Sequence, residues 1–262
     1  MLSNEDLALS TRSSALFLMH ALSASQLLEV WERGSSQPAT RRMLSLLHAA
    51  FPETSADALA QLSIGQRDAL LLSLREWLFG PQLTGLATCP NCAERLELNF
   101  GTADIRAEAP PESVEQLSLS VSNYDARFRL PNSLDMLAIV GMNDIAVAQH
   151  ALLERCLVTL SHDGNESNAD ELPTEIVTAI VARMAEADPQ ANTQLALNCP
   201  QCGHAWQAVL NIASFFWNEI NAWAARTLRE VHYLASAYGW REVDILALTP
   251  TRRQLYVDMI GA

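Results

Sequence analysis

The chain has 262 residues and a formal net charge of −13, with 30 acidic side chains against 17 basic ones, and every basic residue is an arginine. At 49% hydrophobic residues it carries enough apolar material for a packed core, which excludes a disordered chain. No apolar run reaches the ~18 residues of a membrane-spanning helix. The acidic balance argues against non-specific nucleic-acid binding, which needs a basic face to displace counterions from phosphates. The short apolar run at 15–22 follows Glu5 and Asp6, where a secretory signal would carry positive charge, so the expected compartment is the cytoplasm.

In chain order, helices come first. Ser23 with Gln26 has the capping-box pattern ahead of Leu27, Leu28, Val30 and Trp31, and the stretch from Gly34 to Pro38 ends that helix. Residues 41–51 form a second helix, stopped by Pro52. Ser63 with Gln66 caps a third, whose Leu70, Leu71, Leu74, Trp77 and Leu78 recur at helical spacing until Gly80-Pro81. The period then changes: Leu96, Leu98 and Phe100 alternate with Glu97 and Asn99, which predicts a strand. A proline-rich acidic loop is expected at 107–115, a short strand at 128–130, helices at 134–140 and 145–160, a polar loop at 161–170 and a helix at 174–187. Strands are expected again at 194–198 and 206–212. A long helix follows, with Phe216, Ile220, Trp223, Val231 and Leu234 on one face and Gly239 as its cap. Thr249-Pro250 opens a last helix.

Four of the five cysteines fall into two matching motifs, CPNC at Cys89 and Cys92 and CPQC at Cys199 and Cys202. Each motif lets a tight turn aim two sulfurs at one point, and two such halves complete a closed tetrahedral thiolate site for one structural Zn²⁺. Gly203 suits the left-handed position such turns need, whereas Ala93 stands at the equivalent place in the first motif. The long separation of the motifs does not forbid a shared ion, since loop closure costs only logarithmically more with length. Two other readings compete. A redox dithiol needs its first cysteine at a helix N-terminus, but strands follow both motifs. Disulfides need an oxidising compartment. Cys156 reads as a small buried hydrophobe and His204 as a neighbour of the site. No nucleophile elbow, phosphate loop, zinc-protease helix or pair of carboxylates supports an enzyme. Phe215, Phe216 and Trp217 are consecutive on a helix, so one or more of them, Phe215 and Trp217 above all, is expected on a partner surface.

Residues 62–81 leading into the first motif, then 128–140, then CPQCGHAW, then 232–260, together resemble the baseplate-associated proteins of contractile phage tails and phage tail-like injection particles. The resemblance spans most of 62–260 and is densest at the C-terminus, where Trp240, Arg252 and Arg253 are expected partner contacts. It implies an interaction protein, a baseplate component or an assembly chaperone, with tail or baseplate proteins as partners. A zinc-ribbon nucleic-acid or transcription-associated protein is the alternative from another class, and a dithiol oxidoreductase the third. The expected fold is α+β and mostly helical. A helical region at 1–82 precedes the first half of a zinc-ribbon β module at 83–130. A helical insertion at 131–190, the second half-ribbon at 191–213 and a C-terminal helical region at 214–262 complete it.

Overall fold

The computed structural model describes residues 8–9, 17–108 and 116–260, and the proline-rich stretch expected as a loop lies partly outside these residues. A short antiparallel pair, β1 (Ala8–Leu9) and β2 (Phe17–Leu18), precedes helices α1 (Ala24–Gly34), α2 (Ala39–Ala50), α3 (Ala56–Gln61) and α4 (Ile64–Phe79). Both expected capping boxes form. Ser23 Oγ accepts from the Gln26 N–H at 3.2 Å and Ser63 Oγ from the Gln66 N–H at 3.1 Å, and each glutamine side chain accepts from the cap's own N–H in return. Helix α4 is buried on most sides, through Leu70, Leu71, Leu72 and Leu74 as well as Arg67, Asp68 and Arg75, and so forms the axis of the bundle.

The chain then leaves the bundle in an antiparallel hairpin, β3 (Gln82–Thr88) and β4 (Arg95–Gly101), followed by the single turn α5 (Thr102–Ile105). Next come β5 (Leu117–Val121), β6 (Tyr124–Phe128), α6 (Ser133–Ala138), α7 (Ile145–Cys156), β7 (Leu157–His162), β8 (Asn165–Glu166) and α8 (Thr174–Ala187). A 3₁₀ turn at Pro189–Asn192 leads into a second hairpin, β9 (Gln194–Asn198) and β10 (Ala205–Val209). The chain closes with α9 (Ile212–Tyr238), α10 (Glu242–Leu246) and α11 (Pro250–Ile260). The fold is α+β, mostly helical, with short antiparallel sheets.

Three apolar clusters organise these elements. The largest joins α1, α2 and α4 to the first half of α9 through residues such as Met43, Leu71, Phe216 and Ile220, so the N- and C-terminal helices share one core. The second packs Leu117, Phe128 and Leu160 of the four-stranded sheet β5-β6-β7-β8 against Leu153 of α7 and Ile176 and Ile180 of α8. The third closes the far end of α9 on α10 and α11 around Val231, Leu234 and Ile245.

Several expectations change: the strand expected at 128–130 lies at Tyr124–Phe128, the loop expected at 161–170 carries the end of β7 and all of β8, and the strand expected at 206–212 ends at Val209. The helix expected through residue 160 ends at Cys156, because β-branched Val158 and Thr159 extend the chain into β7, which pairs with β6. Strands β5 and β6 pair with this segment and not with the cysteine hairpins, so the chain between the hairpins is a sheet with helices and not helices alone. Its seam to the bundle is polar. The Ile64 N–H donates to the Pro131 carbonyl at 3.1 Å, and the Gly65 N–H donates to Asp188 Oδ2 at 2.8 Å, which satisfies a free donor at the start of α4.

Candidate metal centre

Each CPxC motif forms the tip of a hairpin, and the two tips are built alike. In the first, the Cys89 N–H donates to the Glu94 carbonyl at 2.8 Å and the Ala93 N–H to the Cys89 carbonyl at 2.9 Å. In the second, the Cys199 N–H donates to the His204 carbonyl and the Gly203 N–H to the Cys199 carbonyl, both at 2.9 Å. The turn needs a left-handed residue after the second cysteine: Gly203 has φ +71° and Ala93 has φ +62°. Ala93 therefore adopts the backbone of its glycine counterpart and bears the steric cost.

The tips converge. Cys89 Sγ lies 3.7 Å from Cys202 Sγ and Cys92 Sγ lies 3.6 Å from Cys199 Sγ, and all four sulfurs fall within 4.8 Å of one another. Four sulfurs at about 2.3 Å from one ion define tetrahedron edges of about 3.8 Å, so the set fits a metal ion. The first cysteine of each motif is buried and the second exposed. The cysteines are free thiols, and neither motif sits at a helix N-terminus. Electrostatics point the same way. The Asn91 side-chain amide, 3.5 Å from Cys202 Sγ, leads the interactions that pull the Cys202 thiol down to about 6. At Cys92 a backbone hydrogen bond at Glu94 favours the thiolate but is outweighed by desolvation and the three neighbouring sulfurs, which push it up to about 12. Four thiolates this close repel one another, and a divalent cation removes that conflict.

What brings the tips together lies at the hairpin bases, which periodicity and motifs do not reveal. Buried Arg75 donates to the carbonyls of Gly80 and Gln82, at 2.5 and 2.7 Å, and forms a two-point pair with Glu219 at 2.6 and 2.9 Å, tying the start of β3 to α9. Gln190 spans both hairpins. Its Nε2 donates to the Ile105 carbonyl at 3.1 Å and to Thr193 Oγ1 at 2.8 Å, while its Oε1 accepts from the Ala107 N–H at 2.8 Å. Leu83, Phe100, Leu195 and Leu210 then anchor both bases on the main core. An arginine or a glutamine in sequence carries no mark of such a role.

The residues expected on a partner surface are placed differently from one another. Trp217 is buried, because α9 lies across α1 and α2: its ring fills the space over Gly34, where a Cβ would come within 2.4 Å of Cη2, and the Arg42 guanidinium stands 5.1 Å from its centroid. Arg253 is buried too, with its Nε 2.8 Å from Glu230 and its Nη1 donating to the Leu248 carbonyl. Phe215 is half-buried against the main core and faces Gly85 of β3. Trp240 is half-buried, stacked on Tyr238 at 4.8 Å and edge-on to Tyr256 at 4.9 Å. Arg252 is exposed. Cys156 is buried, and desolvation pushes its thiol up to about 11, which disfavours the thiolate at neutral pH.

A family model described as T4 bacteriophage base plate protein matches residues 22–217. No curated protein and no solved structure matches the chain. The matched region starts earlier than the motif resemblance, taking in α1, α2 and α3, and stops inside α9, before the C-terminal segment in which that resemblance was densest. The early start has a structural basis, since α1 and α2 complete the core on which α4 and both hairpins are seated. The chain belongs to the T4 bacteriophage base plate protein family.

Proposed function

We propose that this chain is a non-enzymatic structural subunit of the baseplate of a contractile phage tail or tail-like injection particle, with one structural Zn²⁺ held by Cys89, Cys92, Cys199 and Cys202. The convergence of four sulfurs from two distant hairpins within 4.8 Å carries the reading of the site. An all-thiolate tetrahedral set suits zinc, and with four sulfur ligands no position remains for water or substrate. The bound ion would supply charge compensation and a cross-link between the tips. None of the four cysteines belongs to the main core, so zinc would order the paired hairpins and not hold the helices together.

Partners on this reading are other tail or baseplate proteins, met during assembly in the cytoplasm and retained in the particle. The net charge of −13 speaks against nucleic acid as a partner. Mass spectrometry of purified, washed particles tests the role, beside a pull-down from the producing cells. The chain is expected in the particles together with the other baseplate proteins. Its absence from particles, with capture only on free baseplate subunits, would make it an assembly factor, and its absence from both would overturn the proposal.

A further inference from the structure

Among the described residues the two cysteine hairpins are isolated two-stranded sheets, and no other strand pairs with the long edges of either. Soluble proteins ordinarily protect such edges with charged side chains, proline or bulges. The second hairpin has none of these on its strands. Residues 189–218, the longest stretch of the sequence without Asp, Glu, Lys or Arg, contain the whole of it, leaving the thiols at its tip as its ionisable groups besides His204. On β10, Ala205, Gln207 and Val209 face solvent, with Val209 70% exposed, while Trp206 and Ala208 on the opposite face are half-buried. The ribbon is also pre-ordered, its base held by Gln190, Thr193 and the main core and its tip by the convergent sulfurs. Pairing there therefore orders little new chain.

We propose that β10 is a self-association edge, on which the β10 strand of a second copy pairs antiparallel about a twofold axis at Gln207. Two arguments select a second copy. Chains carrying −13 each repel wherever their charged surfaces meet, and the uncharged strands of this ribbon let two copies approach without juxtaposing like charges. The register is also self-complementary. A twofold at Gln207 sets Ala205 against Val209 of the second copy and Trp206 against Ala208, so that apolar residues face apolar ones on both sides of the extended sheet. The same operation on β9 would oppose Gln194 to Asn198 and offer no such match at its ends. The product is a four-stranded sheet with a metal-bearing tip on each half. This inference does not depend on the baseplate reading.

Sedimentation equilibrium of the full, metal-loaded chain tests it, with Gln207→Glu and Gln207→Lys as probes. Gln207 is exposed, so both variants should keep the wild-type far-UV circular dichroism and metal content. The wild-type mass is expected to double as concentration rises. Each variant alone, with like charges opposed at the axis, should associate about tenfold more weakly or worse. An equimolar mixture of the two should restore association, because opposite charges then meet. A wild-type chain that stays monomeric up to about 100 μM, association unaffected in both variants, or a mixture no stronger than its parts would each overturn the proposal.

Discussion

The two hairpin tips differ at one backbone position, and exchanging the residues there should move metal affinity in opposite directions. Gly203 has φ +71° with nothing within 4 Å of the site where a Cβ would stand, so Gly203→Ala meets no neighbour and isolates the conformational cost. Placing an L-residue in the left-handed region costs about 1–2 kcal/mol, and the lower entropy of unfolded alanine relative to glycine returns about 0.5–1 kcal/mol. The net loss is about 0.5–1 kcal/mol. Ala93 already stands at φ +62°, so Ala93→Gly reverses the sign and should gain a similar amount. The tip must be closed to bind metal, so these energies appear in the binding constant as about two- to fivefold changes, weaker for Gly203→Ala and tighter for Ala93→Gly. Competition against a chromophoric chelator measures both, and the double exchange should return close to wild type. Shifts of the same sign in the two single variants, or none in either, would refute the claim that the tips are equivalent halves of one site.

Other parts of the fold give predictions of their own. Gln190→Ala leaves the Ala107 N–H, the Ile105 carbonyl and Thr193 Oγ1 without their shared partner, which should cost about 2–3 kcal/mol in urea unfolding and also weaken metal binding, since the hairpin bases are no longer fixed. A merely structural role would leave the affinity of the still-folded variant unchanged. Gly65→Ala puts a Cβ 1.9 Å from Asp188 Oδ1 and 2.9 Å from the Ala191 nitrogen, so the seam must open, and a loss of about 2–4 kcal/mol is expected in the same assay. Asp135 is fully buried between Arg129, at 2.5 and 2.8 Å, and Arg155, at 3.0 Å. Burial raises its pKa, but the hydrogen bonds from Arg129 lead the interactions that hold it below the ordinary 3.8. A depressed carboxylate stabilises the fold above its unfolded pKa and loses that contribution as pH falls through the folded one. Asp135→Asn should therefore cost about 2 kcal/mol near neutral pH, moderated by the solvent access of both arginines, and should lose the part of the wild-type acid transition that lies below about pH 4.

Local chemistry made much of this legible in the sequence. The capping boxes at Ser23 and Ser63, the helix over Thr174–Ala187, the strand at Gln194–Asn198 and the left-handed cap at Gly239 are each fixed by a few adjacent residues, and each forms as expected. Each half of the cysteine site was legible for the same reason, since spacing alone defines it, whereas the meeting of the two halves rests on the hairpin bases. Long-range packing was not. Trp217 and Arg253 have the sequence character of surface anchors, but their burial depends on Gly34 and Glu230 arriving from other elements. The strand β7 continues a helical apolar pattern; β-branched Val158 and Thr159 favour extension, and pairing with β6 and β8 fixes residues 157–162 as a strand. Arg75 and Gln190 act through backbone carbonyls, which have no sequence signature at all.

Zinc K-edge absorption spectroscopy on freshly purified protein, with elemental analysis of the same sample, tests most directly whether the two hairpins share one ion. One zinc per chain with four sulfur scatterers at about 2.3 Å is the expected result, and Cys89→Ser and Cys199→Ser should each abolish it. A chain free of metal, or zinc bound with two sulfurs in separate half-sites completed by nitrogen or oxygen, would contradict it.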